Sequence, residues 1–404
     1  MQRRGDKGGG GSVFDHDIAR AKLAQAKAYL RDAGIDCWLL LSREGSDSVV
    51  PFLTGSQTVG QAAYLLYPDG TDEAIVAGYD EGQVRLAGVV QSVSAYERGL
   101  REPLVAALRG RRVRTIALNF SLDDAAADTL THGQYLWFAQ AADPAWRLVS
   151  AAPLLARLRA VKTAAEIERV RRAVLETQAI FQSVRGRIRP GLSERAIQGL
   201  FAAEAARRGH ADGLDAAFGG PLTLIPRVGM AHRSPTDAAL EAGDMLVVDF
   251  TLKVDGYSSD IARTFYCLRP GEGSAPEAAE AMFRASRAAI DSAAAFLRPG
   301  VRGHEVDAVA RATLSGRGFP APTHALGHGV GREAHDGGVL LGPLWERYGS
   351  APEGVVEEGM VFALEPTVLP PGPYAVISEE NVLVTRTGVE RLCDWQEDLW
   401  LIAP

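Results

Sequence analysis

Apolar and polar residues alternate with two different periods along the first third of the chain. Between 17 and 34, apolar side chains recur at three- and four-residue spacing, which predicts an amphipathic helix that ends at Gly34. Short apolar runs predict strands at 37–41, 63–67, 73–77 and 115–119, and helical spacing returns at 104–108 and 123–130. This alternation predicts a compact α/β domain over residues 15–152.

A long, charged helical pattern over 152–187 opens a second domain, which we place at 153–404. This domain contains a repeat: an Arg-Pro-Gly motif occurs at 189–191 and again at 298–300, each time with its proline 19 positions before the glycine of an Arg-Gly pair. Each copy reads as helix, motif, helix and then strand-like sequence with acidic residues. Two similar halves predict a pseudo-two-fold axis and a central site that takes ligands from both halves.

Composition narrows the classes of function. The 43 Lys and Arg residues against 50 Asp and Glu residues give a net charge of −7, which argues against a nucleic-acid partner because phosphate binding depends on surplus positive charge. No apolar run approaches the roughly 18–20 residues that span a bilayer, so no membrane partner is expected. The three cysteines are widely separated and form no CxxC motif, so a metal site must use His, Asp and Glu.

The first residues indicate where the fold begins and where the protein acts. Residues 1–14 contain a Gly/Ser run and are expected to be disordered or artificially added. Basic residues are present there, but no apolar core follows them as in a secretory signal. Together with the unpaired cysteines, this predicts a cytoplasmic protein.

Two aspartates approach each other if the sequence from 245 forms a hairpin. Asp249 lies in an apolar strand, where burial of a lone carboxylate costs several kcal/mol unless the group is paired or binds a cation. Asp260 follows eleven residues later, beyond a turn at 254–257. This spacing brings both carboxylates to one point, although ordinary ion pairs, for example with Arg263, are the alternative.

Three histidines, His324, His328 and His335, fall within twelve residues among several glycines. Imidazole is the commonest metal ligand and also carries protons, whereas the alternative is a glycine-rich loop with surface histidines. Two glutamates stand beside later apolar strands: Glu365 ends one, and Glu380 precedes another. Together, two Asp, one His and two Glu offer mostly oxygen donors, a set that suits two divalent ions such as Mn²⁺, Co²⁺ or Zn²⁺.

At these residues the sequence resembles the pita-bread metallopeptidases: prolidase, Xaa-Pro aminopeptidase and methionine aminopeptidase. The motifs that carry the resemblance are GDMLVVDF, GYSSDIARTF, THALGHGVG, EEGMVFALEP and EENVLVT. The resemblance implies metal ligands at Asp249, Asp260, His328, Glu365 and Glu380. It also implies catalytic roles for His232 and His335, a proton-shuttle role for Glu365, and a place for His324 in the substrate pocket.

The resemblance also implies a fold and an activity. The fold is mixed α/β (α+β): a smaller creatinase-like N-terminal domain and a C-terminal pita-bread domain. The activity is hydrolysis, by two divalent ions, of the peptide bond that precedes proline in short proline-containing peptides. The presence of the N-terminal domain points away from methionine aminopeptidases, and a homodimer is expected.

Two departures from the family pattern concern cations. The position two residues before the last ligand often carries Arg, whereas here Ser378 stands there, so a cation near the carboxylates is missing or supplied elsewhere. The adjacent Glu379 is an alternative for this last ligand, but the step into Asn381-Val382-Leu383 favours Glu380. After His335 the chain reads Asp336-Gly337-Gly338, with no Arg soon after it to bind a substrate carboxylate. A dipeptidase needs another cation for that purpose, and we consider Arg227, Arg233, Arg332 or an arm from a partner subunit.

The leading hypothesis is an Xaa-Pro dipeptidase, and the alternative is an Xaa-Pro aminopeptidase that acts on longer peptides. A creatinase-like hydrolase of a C–N bond in a small metabolite and a non-catalytic binding scaffold also use this fold. Relatives of both kinds lose metal ligands, whereas this sequence retains all five, so both are disfavoured.

Overall fold

The computed structural model describes residues 15–230 and 233–404, and it divides into two compact units at Leu158 and Arg159. The predicted boundary at 152/153 differs from this division by six residues, because a helix that begins at Ala152 continues to Ala160 across it. The prediction for residues 1–14 lies outside the described residues.

The N-terminal unit is built on a six-stranded mixed sheet. Its strands are β1 (Cys37–Ser42), β2 (Ala62–Leu66), β3 (Asp72–Ala77), β4 (Ser92–Tyr96), β5 (Thr115–Leu118) and β6 (Arg147–Ser150), in the order β4-β3-β2-β1-β5-β6. Its helices are α1 (His16–Asp32), α2 (Val49–Thr54), α3 (Glu81–Ala87), α4 (Arg101–Gly110), α5 (His132–Ala139) and α6 (Ala152–Ala160).

Strand β1 explains why this sheet reads as continuous apolar sequence. All six of its residues are buried: Trp38 and Leu40 belong to the core on one face, whereas Cys37, Leu39 and Leu41 belong to the core on the other. A strand that is covered on both faces has no polar side, so its sequence does not alternate.

The helix predicted over 123–130 is wrong. Side chains in this stretch bind the local backbone instead: Ser121 Oγ accepts hydrogen bonds from the amides of Asp123 and Asp124, and Asp124 Oδ1 accepts one from the amide of Ala126. Such local bonds compete with the helical ladder, and the stretch forms turns. The helix begins later, after the N-cap Thr131.

In the described residues of the C-terminal unit, two helix pairs accompany three small sheets. Its helices are α7 (Ala164–Val184), α8 (Glu194–Arg207), α9 (Glu277–Phe296) and α10 (Gly303–Gly316). Its strands are β7 (Leu222–Leu224), β8 (Met245–Val254), β9 (Tyr257–Cys267), β10 (Val361–Leu364), β11 (Thr367–Val368), β12 (Val376–Ile377), β13 (Glu380–Val384), β14 (Val389–Arg391) and β15 (Trp400–Ile402). The sheets are β15-β9-β8-β7, β10-β13-β14 and β11-β12.

The long helical pattern over 152–187 is interrupted. Val161 forms a β-bridge with Met360, and Thr163 starts α7 with a capping box in which Glu166 binds the Thr163 amide. A capping box satisfies amides that the first helical turn leaves unpaired, so a new helix starts here. The pattern therefore forms α6 and α7 rather than one helix.

The internal repeat is present as two helix pairs, α7–α8 and α9–α10. In each pair the motif glycine has a positive φ, 86° at Gly191 and 93° at Gly300. The glycine after each second helix also matches, with φ of 87° at Gly209 and 82° at Gly318. L side chains rarely adopt this conformation, so the same backbone turn explains why both copies use glycine at the same positions.

Among the described residues, no helix is both long and apolar enough to cross a membrane.

Candidate active site

The β8–β9 hairpin predicted from the sequence is present and brings two aspartates to one face. Thr251 pairs with Asp260 and Asp249 pairs with Ala262 across the antiparallel strands. Directly opposite residues share a face of a sheet, as do residues two apart on one strand, so Asp249, Thr251 and Asp260 lie on the same face. Thr251 Oγ1 donates a hydrogen bond of 2.9 Å to Asp260 Oδ1.

His328 is brought beside these carboxylates by a backbone segment that runs against β10. The Ala363 amide donates to the His328 carbonyl, and a Cβ at Gly327 would lie 1.9 Å from the Ala363 carbonyl oxygen, so only glycine permits this approach. His328 Nε2 lies 3.8 Å from Asp260 Oδ2 and 3.6 Å from Glu365 Oε1.

The His328 ring is held in one tautomer. Burial lowers its pKa to about 4, so the imidazole is neutral at physiological pH. Its Nδ1 lies 3.0 Å from the Ala334 carbonyl oxygen, which can only accept. The proton is therefore on Nδ1, and the Nε2 lone pair faces the carboxylates.

Two glutamates complete this group. Glu365 directly follows β10, and Glu379, which is buried, precedes β13; its Oε1 lies 4.0 Å from His328 Nε2. Burial, followed by repulsion from Asp260 and Asp249, raises the pKa of both glutamates well above the usual range. Burial likewise raises the pKa of Asp260 to about 7. The carboxylates thus lie close together, and burial and their mutual repulsion disfavour the charged forms.

The structure corrects the position of the fifth acidic residue. Glu380, predicted as a ligand, points away from the group: its carboxylate pairs with Arg263 at 3.0 Å and accepts the Gln396 amide at 2.8 Å. Neighbouring residues of an extended strand face opposite ways, so Glu379 faces the aspartates and His328 instead. The position two before this glutamate is then Ile377, whereas Ser378 is fully buried beside it.

Arg263 supplies a buried cation behind the acidic group. Its guanidinium pairs with the Glu380 carboxylate and donates to the Glu379 carbonyl oxygen at 2.9 Å. The sequence comparison left open whether such a cation is missing or comes from elsewhere. In the structure it comes from β9.

The other predicted histidines are placed as follows. The His335 ring lies over that of His328, with centroids 4.0 Å apart, and lines the same cavity. His324 also lines it and hydrogen-bonds Thr367 Oγ1 through Nε2 at 2.8 Å. His232 lies outside the described residues.

The three arginines considered for a substrate carboxylate are not among the described residues that line the cavity. Arg233 forms a bidentate ion pair with the buried carboxylate of Glu194, and Arg227 forms one with the carboxylate of Asp244. The Arg332 guanidinium lies over the Tyr257 ring, 6.0 Å from its centroid. The structure thus does not place the predicted substrate-binding residue Arg332 at the site.

The cavity has a volume of about 550 Å³, within the usual range for small-molecule sites. In the part of the chain that the structure describes, its lining has no Lys or Arg. It also includes residues that the sequence did not single out: Asp215, Phe218, Thr251, Tyr348, Thr367 and Leu369. Asp215, Phe218 and Leu369 come from irregular segments, where no periodic pattern marks a residue as facing a cavity.

A divalent metal ion fits the donor set. Asp260, His328 and Glu379 each offer a ligand atom, and these atoms lie within 4.8 Å of one another. Nitrogen and carboxylate donors bind such ions at roughly 2.0–2.2 Å, so two donors on one ion lie within roughly 4.4 Å of each other. The distances of 3.6–4.0 Å from His328 Nε2 to its three carboxylate neighbours meet this condition. A bound cation would also compensate the raised pKa values of the carboxyls.

The chain is similar in sequence to known metallopeptidases. Residues 168–386, more than half of the chain, match the model of metallopeptidase family M24. An Xaa-Pro dipeptidase of Pyrococcus horikoshii is 33% identical over 174 residues, which cover 43% of this chain and 46% of that protein. An Xaa-Pro dipeptidase of Pyrococcus furiosus is 31% identical over 245 residues, which cover 60% of this chain and 65% of that protein. The matches thus span about half to two thirds of these relatives.

The fold extends over nearly the whole chain. The crystal structure of dipeptidase PepE from Mycobacterium ulcerans superposes with a TM-score of 0.76 at 24% identity, covering 97% of this chain and 100% of that one. This likeness confirms the predicted fold, with an N-terminal α/β unit and a C-terminal pita-bread unit.

Proposed function

The chain belongs to metallopeptidase family M24, and we propose that within this family it hydrolyses the peptide bond that precedes proline, with Xaa-Pro dipeptides as substrates. The observation that carries the proposal is the cluster of buried carboxylates around a neutral His328 on the wall of a peptide-sized cavity. The two archaeal relatives named Xaa-Pro dipeptidase support the choice of substrate.

We assign the metal-binding role to Asp249, Asp260, His328, Glu365 and Glu379, with two ions of Mn²⁺, Co²⁺ or Zn²⁺ as the cofactor. Five donors from two hairpins and one loop exceed what a single tetrahedral ion takes, which favours two. When bound, such ions polarise the carbonyl under attack and lower the pKa of a coordinated water.

Glu365 is suited to proton transfer. Its side chain is 26% exposed and faces the cavity, whereas those of Asp260 and Glu379 are nearly enclosed. Burial and the neighbouring aspartates raise the pKa of Glu365, so this carboxylate takes up a proton more readily than an ordinary glutamate. It would accept the proton of the attacking water and give it to the departing proline nitrogen.

His335 and His232 would hydrogen-bond the oxyanion that forms at the carbonyl, and His324 would contact the substrate. His335 stands beside His328 at the cavity wall, which supports its role. For His232 the support is its place in the sequence alone. Apolar lining side chains, including Phe218, Leu340 and Ile377, suit the proline ring, which also lacks the N–H that other residues would need to satisfy.

We further propose that the protein forms a homodimer and acts in the cytoplasm. The three cysteines are unpaired and buried, which suits a reducing compartment. For the homodimer the support is the resemblance of the sequence to the family alone. Sedimentation analysis that finds only monomers would contradict the dimer.

A peptide panel tests the function. The purified protein, loaded separately with Mn²⁺, Co²⁺ and Zn²⁺, is assayed on an Xaa-Pro dipeptide, an Xaa-Pro-Yaa tripeptide and a matched Xaa-Ala dipeptide. We expect the Xaa-Pro dipeptide to be hydrolysed fastest. Hydrolysis of the tripeptide alone would refute dipeptidase activity in favour of aminopeptidase activity, and no hydrolysis of any proline peptide would refute both.

A further inference from the structure

The segment 329–338, which we call the histidine loop, connects His328 to His335 and is held at both ends by backbone hydrogen bonds. The Val330 amide donates to the Val361 carbonyl oxygen on β10 at 3.0 Å. The Asp336 amide donates back to the Gly329 carbonyl oxygen at 2.9 Å and closes the loop. The loop therefore carries one active-site histidine and supplies the Ala334 carbonyl that fixes the tautomer of the other.

A buried ion-pair triad lies at the base of this loop. Asp336 Oδ1 pairs with Arg159 Nη2 at 2.7 Å, and Asp336 Oδ2 pairs with Lys162 Nζ at 3.1 Å. The side chains of Arg159, Lys162 and Asp336 are 12%, 1% and 3% exposed. Arg159 Nε also donates to the Asp336 carbonyl oxygen at 3.1 Å, so both the side chain and the backbone of Asp336 are fixed.

The loop sequence is adapted to this triad. A Cβ at Gly331 would lie 2.1 Å from Asp336 Oδ2 and 2.7 Å from Lys162 Cε. The ion pair thus occupies the space that any other residue at 331 would need. The loop also has an exposed ion pair, between Glu333 and Lys253 at 2.7 Å, whose side chains are 58% and 37% exposed.

We propose that Lys162, Arg159 and Asp336 are positioning residues, whose triad sets the orientation of His328 and His335 in the active site. Asp336 directly follows His335 and lies two residues from Ala334, so a shift of its backbone, which Arg159 and Gly329 hold, changes both histidine contacts. Removing Lys162 takes the donor away from the buried Asp336 Oδ2 while Arg159 still binds Oδ1, and a buried acceptor that loses its partner favours movement of the loop. Groups that orient metal-ligating histidines typically change metal affinity or activity 10–100-fold when they are altered.

The test compares Lys162→Met with Lys253→Met, which removes the exposed ion pair from the same loop and serves as the matched control. Co²⁺ binding is measured by isothermal calorimetry, and the visible absorption of the Co²⁺ complex reports on ligand geometry. We expect Lys162→Met to weaken Co²⁺ binding roughly 10–100-fold, to change the spectrum, and to lower kcat with little change in KM. Lys253→Met is expected to stay within about two-fold of the wild type, and Lys162→Arg to recover part of the loss.

Circular dichroism establishes that each variant is folded. If Lys162→Met does not fold, Arg159→Met decides, because it leaves the Lys162–Asp336 pair intact and should give the same changes at smaller size. Folded Lys162→Met, or in its place Arg159→Met, with wild-type Co²⁺ affinity and spectrum would overturn the proposal.

The kinetic part of this inference rests on the proposed peptidase function, whereas the Co²⁺ titration does not. A wild-type protein that hydrolyses no proline peptide would refute the function and leave the calorimetric and spectroscopic comparison as the test of the triad.

Discussion

Glu194 and acidic side chains of the cavity are both buried in the C-terminal unit, but they differ in what surrounds the charge. Glu194, in the first turn of α8, accepts two hydrogen bonds of 2.7 Å from Arg233 and others from Ile225 and Thr236. Burial acts to raise its pKa, but these donors hold the pKa down at about 2. In the cavity, burial and neighbouring carboxylates raise the pKa values of Glu365 and Glu379 together.

The difference shows that burial alone does not decide the pKa of a carboxyl group. Where the fold supplies donors, as at Glu194, the carboxylate is a structural element that joins α8 to the segment before β8. Where acids face one another around His328, burial and mutual repulsion raise their pKa values, and a bound cation would stabilise their charged forms. Perturbed groups that line a cavity are typical of functional sites, and the contrast within one unit separates such groups from the structural ones.

The largest expected effect is the loss of a carboxylate from the cavity. We expect Glu379→Gln to lower kcat/KM at least roughly 1000-fold, about 4 kcal/mol, because a missing ligand charge weakens both metal binding and stabilisation of the transition state. Metal content measured by mass spectrometry should fall as well.

The neighbouring Glu380→Gln is the control for this change. Its carboxylate pairs with Arg263 behind the site, so the variant should lose stability but keep its metal content. Wild-type metal content in Glu379→Gln together with metal loss in Glu380→Gln would reverse the assignment of the two glutamates.

A somewhat smaller effect, on the free energy of unfolding, is expected when Glu194 loses its arginine partner. Arg233→Met should lower the free energy of unfolding by about 3 kcal/mol, the lower end of the cost of leaving a buried charge unpaired, because Thr236 and two backbone amides still bind Glu194. Urea denaturation measures this change. The exposed pair of Arg171 and Glu390 is the control, and Arg171→Met should cost at most about 1 kcal/mol. Equal losses in both variants would contradict the structural role of Glu194.

The smallest expected effect is the stabilisation of the folded chain by Mn²⁺ and its dependence on pH. Mn²⁺ at 100 times its dissociation constant at pH 8 should stabilise the folded chain by about 2.7 kcal/mol. The pKa of Asp260 is raised to about 7, so without metal this carboxyl contributes stability below its ordinary pKa and loses that contribution as the pH rises through about 7. Protons compete with metal, so the same Mn²⁺ concentration should stabilise less at pH 6.

Thermal melts with Mn²⁺ and with a chelator, at both pH values, measure this dependence. A shift in Tm that is equal at pH 6 and pH 8 would contradict the coupling of metal binding to these carboxyls.

The sequence predicts the parts of the molecule that repeat a pattern. The hairpin that carries Asp249 and Asp260, the N-terminal sheet and the two helix pairs follow from periodicity, turn residues and the recurrence of Arg-Pro-Gly. The prediction of a helix over 123–130 is wrong because Ser121 and Asp124 bind the backbone locally. Such bonds cannot be inferred from the spacing of apolar residues.

The choice between Glu379 and Glu380 could not be made from sequence for a physical reason. Every residue of β13 is buried, so the run that follows the two glutamates has no polar face to show which way either one points. The arginines raise a related difficulty. The sequence does not show that Arg227 and Arg233 are already paired and so unsuited to bind substrate. Their partners, Asp244 and Glu194, lie 17 and 39 positions away, and sequence spacing does not reveal such pairs.

The pairing of β15 with β9 has a consequence for how the protein is made. Trp400 lies opposite Phe265 in parallel register. The second edge of the strand that carries Asp260 is therefore covered only when a segment about 135 positions later has been synthesised. Contacts between distant segments close slowly, and an uncovered strand edge is a template for pairing with other chains. During synthesis the aspartates of the site therefore form part of a sheet that still lacks its last strand. A chain whose synthesis stops before Trp400 is expected to aggregate rather than to bind metal.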